Sequence, residues 1–276
     1  MLVGTEPIDL RLTLIDSAQC FRWTEADGLF GGVVDGEPVW LRMEQAGLTA
    51  EGGTAARLRE YLDLDRDYGA LVAEYGGVDV ACRALAMYPG LRVLNQDPWD
   101  ALVTFILSAN NNVTRIRRLC DGLAERFGER FDTEHGALYG LPSPERLAAC
   151  SEQELRALGM GYRAPYLIRT AGMVADGFPL NELCRMEYDE AHARLTELAG
   201  VGDKVADCVL LFGCRQASAF PVDTWVEKLL ADWFGIGGKN RRESAAKARA
   251  LLGGHAGLIQ QFLFHAARTG GISVAN

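Results

Sequence analysis

At 276 residues the chain can bury a sizeable core, and 49% hydrophobic with 24% charged residues is the balance of an ordinary globular protein. No apolar run reaches membrane-spanning length and the start MLVGTEPIDL lacks a signal peptide's basic and apolar segments, so the expectation is a cytoplasmic chain without a membrane partner. The net charge of −9 counts against binding driven by phosphate neutralisation alone, and seven cysteines without CxxC pairs or zinc-type histidine spacing argue against a structural zinc site.

Residues 8–50 read as short strands. Leu10-Arg11-Leu12-Thr13-Leu14 alternates apolar and polar, Cys20-Phe21-Arg22-Trp23 is aromatic, and Asp35-Gly36 is a hairpin turn between Gly32-Val33-Val34 and Pro38-Val39-Trp40-Leu41. Phe21 and Trp23 are expected in the core of that sheet. From about residue 55 the periodicity becomes helical, broken by glycine and proline at Gly76-Gly77, Pro89-Gly90, Pro98, Gly128, Pro142 and Pro144. The predicted fold class is α+β, with an antiparallel sheet domain over residues 1–80 and a helical domain over residues 81–276.

Asp97-Pro98 starts a helix whose apolar run, residues 101–107, is expected to be buried. It ends in Ser108-Ala109-Asn110-Asn111-Asn112, locally a polar connection capped by asparagine. Leu158-Gly159-Met160-Gly161-Tyr162-Arg163-Ala164 is a second glycine-relaxed turn, and by itself marks Tyr162 and Arg163 as loop residues.

The stretch Leu195 to Leu230 carries the most chemistry. A helix ending near Ala199, the turn Gly200-Val201-Gly202 and a helix opening near Asp203 or Lys204 form a helix-hairpin-helix. Gly200 and Gly202 permit positive φ, so that consecutive N–H groups converge on an anion such as a DNA phosphate. The carbonyls on the other side of the turn suit a structural cation, monovalent or calcium. Lys204 and Cys208, four apart, share one helical face. A helix N-terminus opposes an ammonium, which favours a free, nucleophilic amine; the plain alternative is a solvated surface lysine. Asp223, in Phe220-Pro221-Val222-Asp223-Thr224-Trp225, is at least an N-cap aspartate. Gln260 and Phe264 share a face of the last helix, where core packing is the plain reading.

GVGDKVADCVLLFG with FPVDTW, Asp16 to Trp23, NNNVTRI and the 158–164 turn resemble the 8-oxoguanine DNA glycosylases of the helix-hairpin-helix superfamily, in the same order along the chain. The resemblance implies that Lys204 attacks the sugar C1′ of a flipped nucleotide and forms a Schiff base that proceeds to strand cleavage. It implies that Asp223 stabilises positive charge on the sugar. The base pocket it implies comprises the carbonyl of Ala18, standing where the family usually has glycine, together with Cys208, Gln260 and Phe264. Asn110 and Arg115 would read the estranged cytosine, Tyr162 would wedge into the duplex with Arg163 in support, and Gly200 and Gly202 would hold phosphate. Trp225 departs from the histidine of some relatives, and with no cysteine beyond Cys214 the iron–sulfur cluster of the endonuclease III and adenine glycosylase branches is missing. The implied partner is double-stranded DNA containing 8-oxoguanine opposite cytosine, bound by a nucleoid-associated monomer that needs no catalytic metal or other cofactor. Local clustering of Arg115, Arg117 and Arg118 would offset the acidic net charge. The rivals are an alkylated-base glycosylase of the same fold, against which Lys204 argues, and a non-catalytic helix-hairpin-helix DNA-binding protein. A nucleotide-binding loop lacks the P-loop spacing.

Overall fold

The computed structural model describes residues 1–272. Strands β1 (Leu2–Gly4), β2 (Thr24–Ala26), β3 (Leu29–Val34), β4 (Glu37–Glu44) and β5 (Gly47–Glu51) form one antiparallel sheet in the order β1-β5-β4-β3-β2. Val34 pairs with Glu37, and Asp35 (φ 50°) with Gly36 (φ 80°) makes the two-residue turn that the Asp-Gly dipeptide predicts. Gly31 and Gly32 stand side by side in β3 because two indoles lie flat on it. A Cβ at Gly31 would come within 2.5 Å of the Trp40 ring, and one at Gly32 within 2.6 Å of Trp23.

Residues 10–14 do not form a strand. Arg11–Asp16 is one turn of π-helix, with Asp9 Oδ1 accepting from Leu12 N at 2.9 Å and Ser17 N donating to Leu12 O at 2.9 Å. Alternation alone could not exclude a wound segment, and these bonds decide the matter. Residues 20–23 are likewise irregular, and they straddle two cores. Trp23 packs under the sheet and bonds Tyr61 Oη at 3.0 Å, whereas Phe21 enters the helical core edge-on to Phe105 at 6.1 Å.

The helices follow as α1 (Ala55–Tyr61), α2 (Tyr68–Glu74), α3 (Asp79–Met87), α4 (Pro98–Ser108) and α5 (Val113–Phe127). Next come a hairpin of β6 (Arg130–Thr133) and β7 (Gly136–Tyr139), then α6 (Pro144–Ala148), α7 (Glu152–Ala157), α8 (Ala164–Ala175) and α9 (Tyr188–Leu195). The chain ends in α10 (Asp203–Phe212), α11 (Thr224–Phe234), α12 (Arg241–Leu252) and α13 (Ala256–Arg268). The β6–β7 hairpin had no clear signal in the sequence, and it is fastened to the first sheet by Trp40 Nε1 donating to Thr133 Oγ1 at 2.9 Å. Asp97 caps α4 through Trp99 N and Asp100 N, with Pro98 in its first turn, and the run Ala101 to Leu107 is fully buried, as the sequence predicts. The sheet core takes Leu58, Leu62, Leu64 and Leu94, and α2 to α13 enclose the other core. No helix among the described residues is long and apolar enough to cross a membrane.

Candidate active site

α9 stops at Leu195, four residues before the expected end, and the chain turns into α10 through residues 196–202. Of the two turn glycines only Gly200 is left-handed, at φ 80°, where a Cβ would also meet Tyr166 Cβ at 2.8 Å and its ring at 2.9 Å. Gly202 is an extended N-cap at φ −102° and ψ −178°, a conformation open to any residue, and a Cβ there would meet nothing within 4 Å. The reading of Gly202 as a positive-φ position is therefore corrected.

Lys204, on the first turn of α10, is half-buried. Its Nζ donates to Ser108 Oγ at 2.9 Å, and lies 4.9 Å from the centre of the Phe105 ring. Ser108 in turn donates to Phe105 O at 2.7 Å, so the hydroxyl presents a lone pair to the amine. Lys204 enters no ion pair among the described residues; the last turn of α4 aims it instead. Ser108 was not among the residues singled out from sequence, where it looked like a loop serine.

Asp223 is the N-cap of α11: Oδ1 accepts from Trp225 N at 2.9 Å and Val226 N at 2.8 Å. The plain reading holds, and the carboxylate is fixed by it. Two adjoining hollows share Lys204 and Asp223 as lining. The outer one, an open cleft of about 1380 Å³, runs between the α4 terminus (Ser108 to Asn111), the hairpin, and Thr224, Trp225 and Arg241. The inner one, much the smaller, is bounded by Ala18, Phe105, Cys208, Gln260, Gln261 and Phe264 among others. An amine and a carboxylate thus stand at the mouth of a recess. A cleft of about 1190 Å³ beside Glu6, Arg59 and Arg92 is comparable in size to the outer one, but Arg59 there is spent on Glu6 and Asp65.

The inner recess suits a flat polar ring. Burial pushes the Cys208 thiol up to about 12, against the smaller opposing influence of Lys204, so it stays a neutral, polarisable wall. Gln260 is 5% exposed and donates through Nε2 to Pro221 O at 3.2 Å, while its buried Oε1 has no partner. An orphaned acceptor in a recess calls for a ligand donor. Phe264 is partly buried at the edge of the core rather than within it.

Ala18 has φ 60°, so the alanine adopts the left-handed conformation that glycine would take without strain. Side chains of the helical domain hold it there. Arg117 Nη2 donates to Ile15 O, Arg268 Nη2 to Asp16 O, and Gln261 Nε2 to Ser17 O at 2.9 Å. Arg117, one of the three arginines clustered at residues 115–118, thus serves this clamp.

The α4–α5 and 158–164 turns lie against each other. Asn110 is left-handed at φ 49° and Asn112 caps α5 by accepting from Arg115 N at 2.9 Å. Arg115 Nη2 donates to Gly159 O at 3.1 Å, and Tyr162 Oη to Ala109 O at 3.1 Å. Arg163 is only 3% exposed and donates to Ala109 O and Asn110 O, the latter at 3.0 Å; it is a buttress of the asparagine turn, not a free loop residue. Tyr162, Tyr166 and Trp225 are 47%, 38% and 54% exposed, large apolar groups left on the surface.

Residues 1–102 match the N-terminal domain of 8-oxoguanine DNA glycosylase, and residues 103–253 match the HhH-GPD superfamily of base excision DNA repair proteins. A Methanothermobacter thermautotrophicus protein described as a probable N-glycosylase/DNA lyase is 33% identical over 66% of this chain and 65% of its own length. The N-glycosylase/DNA lyase of Saccharomyces cerevisiae is 39% identical over 51% of this chain and 41% of its own. The chain thus spans less than two thirds of these curated relatives. The structure of the Clostridium acetobutylicum 8-oxoguanine glycosylase/lyase, in complex with DNA containing cytosine opposite 8-oxoguanine, superposes with a TM-score of 0.90 at 29% identity, covering 97% of this chain and 94% of that one. With the two matched regions meeting end to end across the sheet, the hairpin and the recess, the chain belongs to the HhH-GPD superfamily of base excision DNA repair proteins.

Proposed function

We propose that this chain is a bifunctional DNA glycosylase and abasic-site lyase that removes 8-oxoguanine opposite cytosine from double-stranded DNA. The observation that carries the reading is the shared placement of Lys204 and Asp223 where the outer cleft opens into the inner recess. A nucleotide swung out of the duplex would set its base inside and its sugar between the two groups. The Lys204 amine attacks C1′, the bond to the base breaks with its electron pair leaving on the base, and the amine gives up a proton. The resulting hemiaminal opens as its C1′–O4′ bond breaks and O4′ takes up a proton, leaving a Schiff base at C1′, from which loss of a C2′ proton expels the 3′ phosphate. Asp223 stabilises the positive charge that develops on the sugar.

Within the recess, the carbonyl of Ala18 accepts the N7 hydrogen that distinguishes the lesion from guanine, Gln260 takes the Watson–Crick edge, and Phe264 and Cys208 cover the two faces. Asn110 and Arg115 read the estranged cytosine, with Tyr162 as the wedge and Arg163 holding the turn. Gly200, Gly202 and the α10 N-terminus hold phosphate. A structural monovalent or calcium cation at the hairpin carbonyls belongs to the same reading, and would show as a rise in melting temperature on adding potassium or calcium. The working unit is proposed to be a monomer.

Borohydride trapping on a duplex with 8-oxoguanine opposite cytosine tests the whole. A covalent adduct in the native protein that disappears in Lys204→Gln supports the lyase. No adduct, with DNA still bound, would exclude the lyase and leave the two rivals, a glycosylase of the same fold that works without the lysine and a non-catalytic DNA-binding protein.

A further inference from the structure

α10 carries one buried polar group to which the proposed reaction gives no task. Asp207, three residues after Lys204, is 2% exposed. Its Oδ1 accepts from Tyr188 Oη of α9 at 2.6 Å. The backbone amide of Phe220 and Arg249 of α12 also favour its ionised form. Arg249 lies with its guanidinium carbon 3.3 Å from the centre of the Tyr188 ring. Phe220 is fully buried and begins the strap that ends at Asp223, and the next carbonyl, Pro221 O, is held from α13 by Gln260 at 3.2 Å. The buried Asp207 carboxyl is therefore bonded to α9 through Tyr188 and lies beside the Phe220 end of the strap.

We propose that Asp207 is a positioning residue, whose contacts with Tyr188 and the Phe220 end of the strap set the placement of Asp223 relative to Lys204. This rests on the glycosylase reading and adds to it. Burying a carboxylate costs free energy unless it is paired and hydrogen-bonded, and Asp207 meets that condition through Tyr188 and Arg249. Burial pushes its carboxyl up to about 7, with Tyr188 and Arg249 opposing and Asp203 reinforcing the rise. His192 of α9 stands 3.7 Å from Asp203, and Arg242 of α12 acts on His192. The contact that fixes the strap is thus exchanged for a protonated one near neutral pH.

The test compares the native chain with Asp207→Asn and Tyr188→Phe, by single-turnover excision from the lesion duplex across pH, affinity for a duplex with a non-cleavable abasic analogue, and melting temperature. Excision is expected to fall roughly tenfold or more in Asp207→Asn, within the range that a small misplacement of reacting groups causes. Affinity should stay within about twofold, since no DNA-facing group is touched, and the melting temperature should be unchanged or higher. Losing the Tyr188 hydrogen bond should move the rate-limiting titration near neutrality to higher pH in Tyr188→Phe, and Asp207→Asn should abolish that part of the profile. Only differences between the three proteins report Asp207. Native rates and an unaltered pH profile in both variants would overturn the proposal while leaving the glycosylase reading intact. An inactive native protein would overturn the glycosylase reading. Should Asp207→Asn fail to fold, the Tyr188→Phe profile decides alone: an upward shift supports the proposal and an unchanged midpoint refutes it.

Discussion

Replacing Ala18 by glycine probes the point at which this chain departs from the residue its family usually has there. Ala18 sits at φ 60°, where an L-residue with a Cβ carries about 1–2 kcal/mol of strain. Glycine relieves that strain but adds about 0.4–1 kcal/mol of unfolded-chain freedom, so Ala18→Gly should stabilise by about 0.5–1 kcal/mol. For a chain of this size that is a rise of about 2 °C in melting temperature. The three side-chain bonds to the carbonyls of residues 15–17 do not involve the methyl group, so the Ala18 carbonyl should stay in place. If about 1 kcal/mol of that strain were expressed in the transition state, the rate would change only about fivefold. The assay is excision of 8-oxoguanine and of guanine from matched duplexes, alongside thermal unfolding. A selectivity change above about tenfold, or a loss of more than about 1 kcal/mol, would show that the methyl itself shapes the recess and would refute the argument.

Asp223→Asn keeps an oxygen for Trp225 N and Val226 N, so stability should change by less than about 1 kcal/mol, while excision should fall by about 10²–10³-fold; equal loss of folding and activity by circular dichroism would contradict this. Gly200→Ala meets both positive φ and the Tyr166 ring, and should cost about 2–4 kcal/mol, whereas Gly36→Ala, at φ 80° with open space around it, should cost only about 1 kcal/mol; chemical denaturation of the pair isolates the clash. Because burial raises the Asp207 carboxyl in the folded state, the native protein holds more protons than the unfolded chain above about pH 4. The stability from this group is present below the unfolded value and is lost as pH rises towards about 7, so unfolding free energy measured between about pH 5 and 8 should fall less steeply in Asp207→Asn than in the native chain. Arg115→Ala should relax the preference for cytosine opposite the lesion, measured as excision ratios over the four opposing bases.

What local chemistry dictates was readable in the sequence. Asp35-Gly36 can make only a narrow set of turns, Asp97-Pro98 announces a helix start, and Lys204 with Cys208 falls on one face by spacing alone. Misreadings came where distant groups decide. The alternation at residues 10–14 looks like a strand until Asp9, Ser17 and Gln19 are seen bonding the π-turn. Arg117 looks like a surface cation until the Ile15 carbonyl is found against it, and Arg163 like a loop residue until the asparagine turn closes over it. Ser108 carries no local sign of its partner, because Lys204 lies 96 residues further along the chain.

The inner recess draws one wall from residues 16–18 and another from residues 260–268, so segments 244 residues apart at Ser17 and Gln261 must meet before it exists. A chain in which α13 has not yet docked can form its hairpin, yet the recess beside Lys204 is then open along the side that Gln260, Gln261 and Phe264 close.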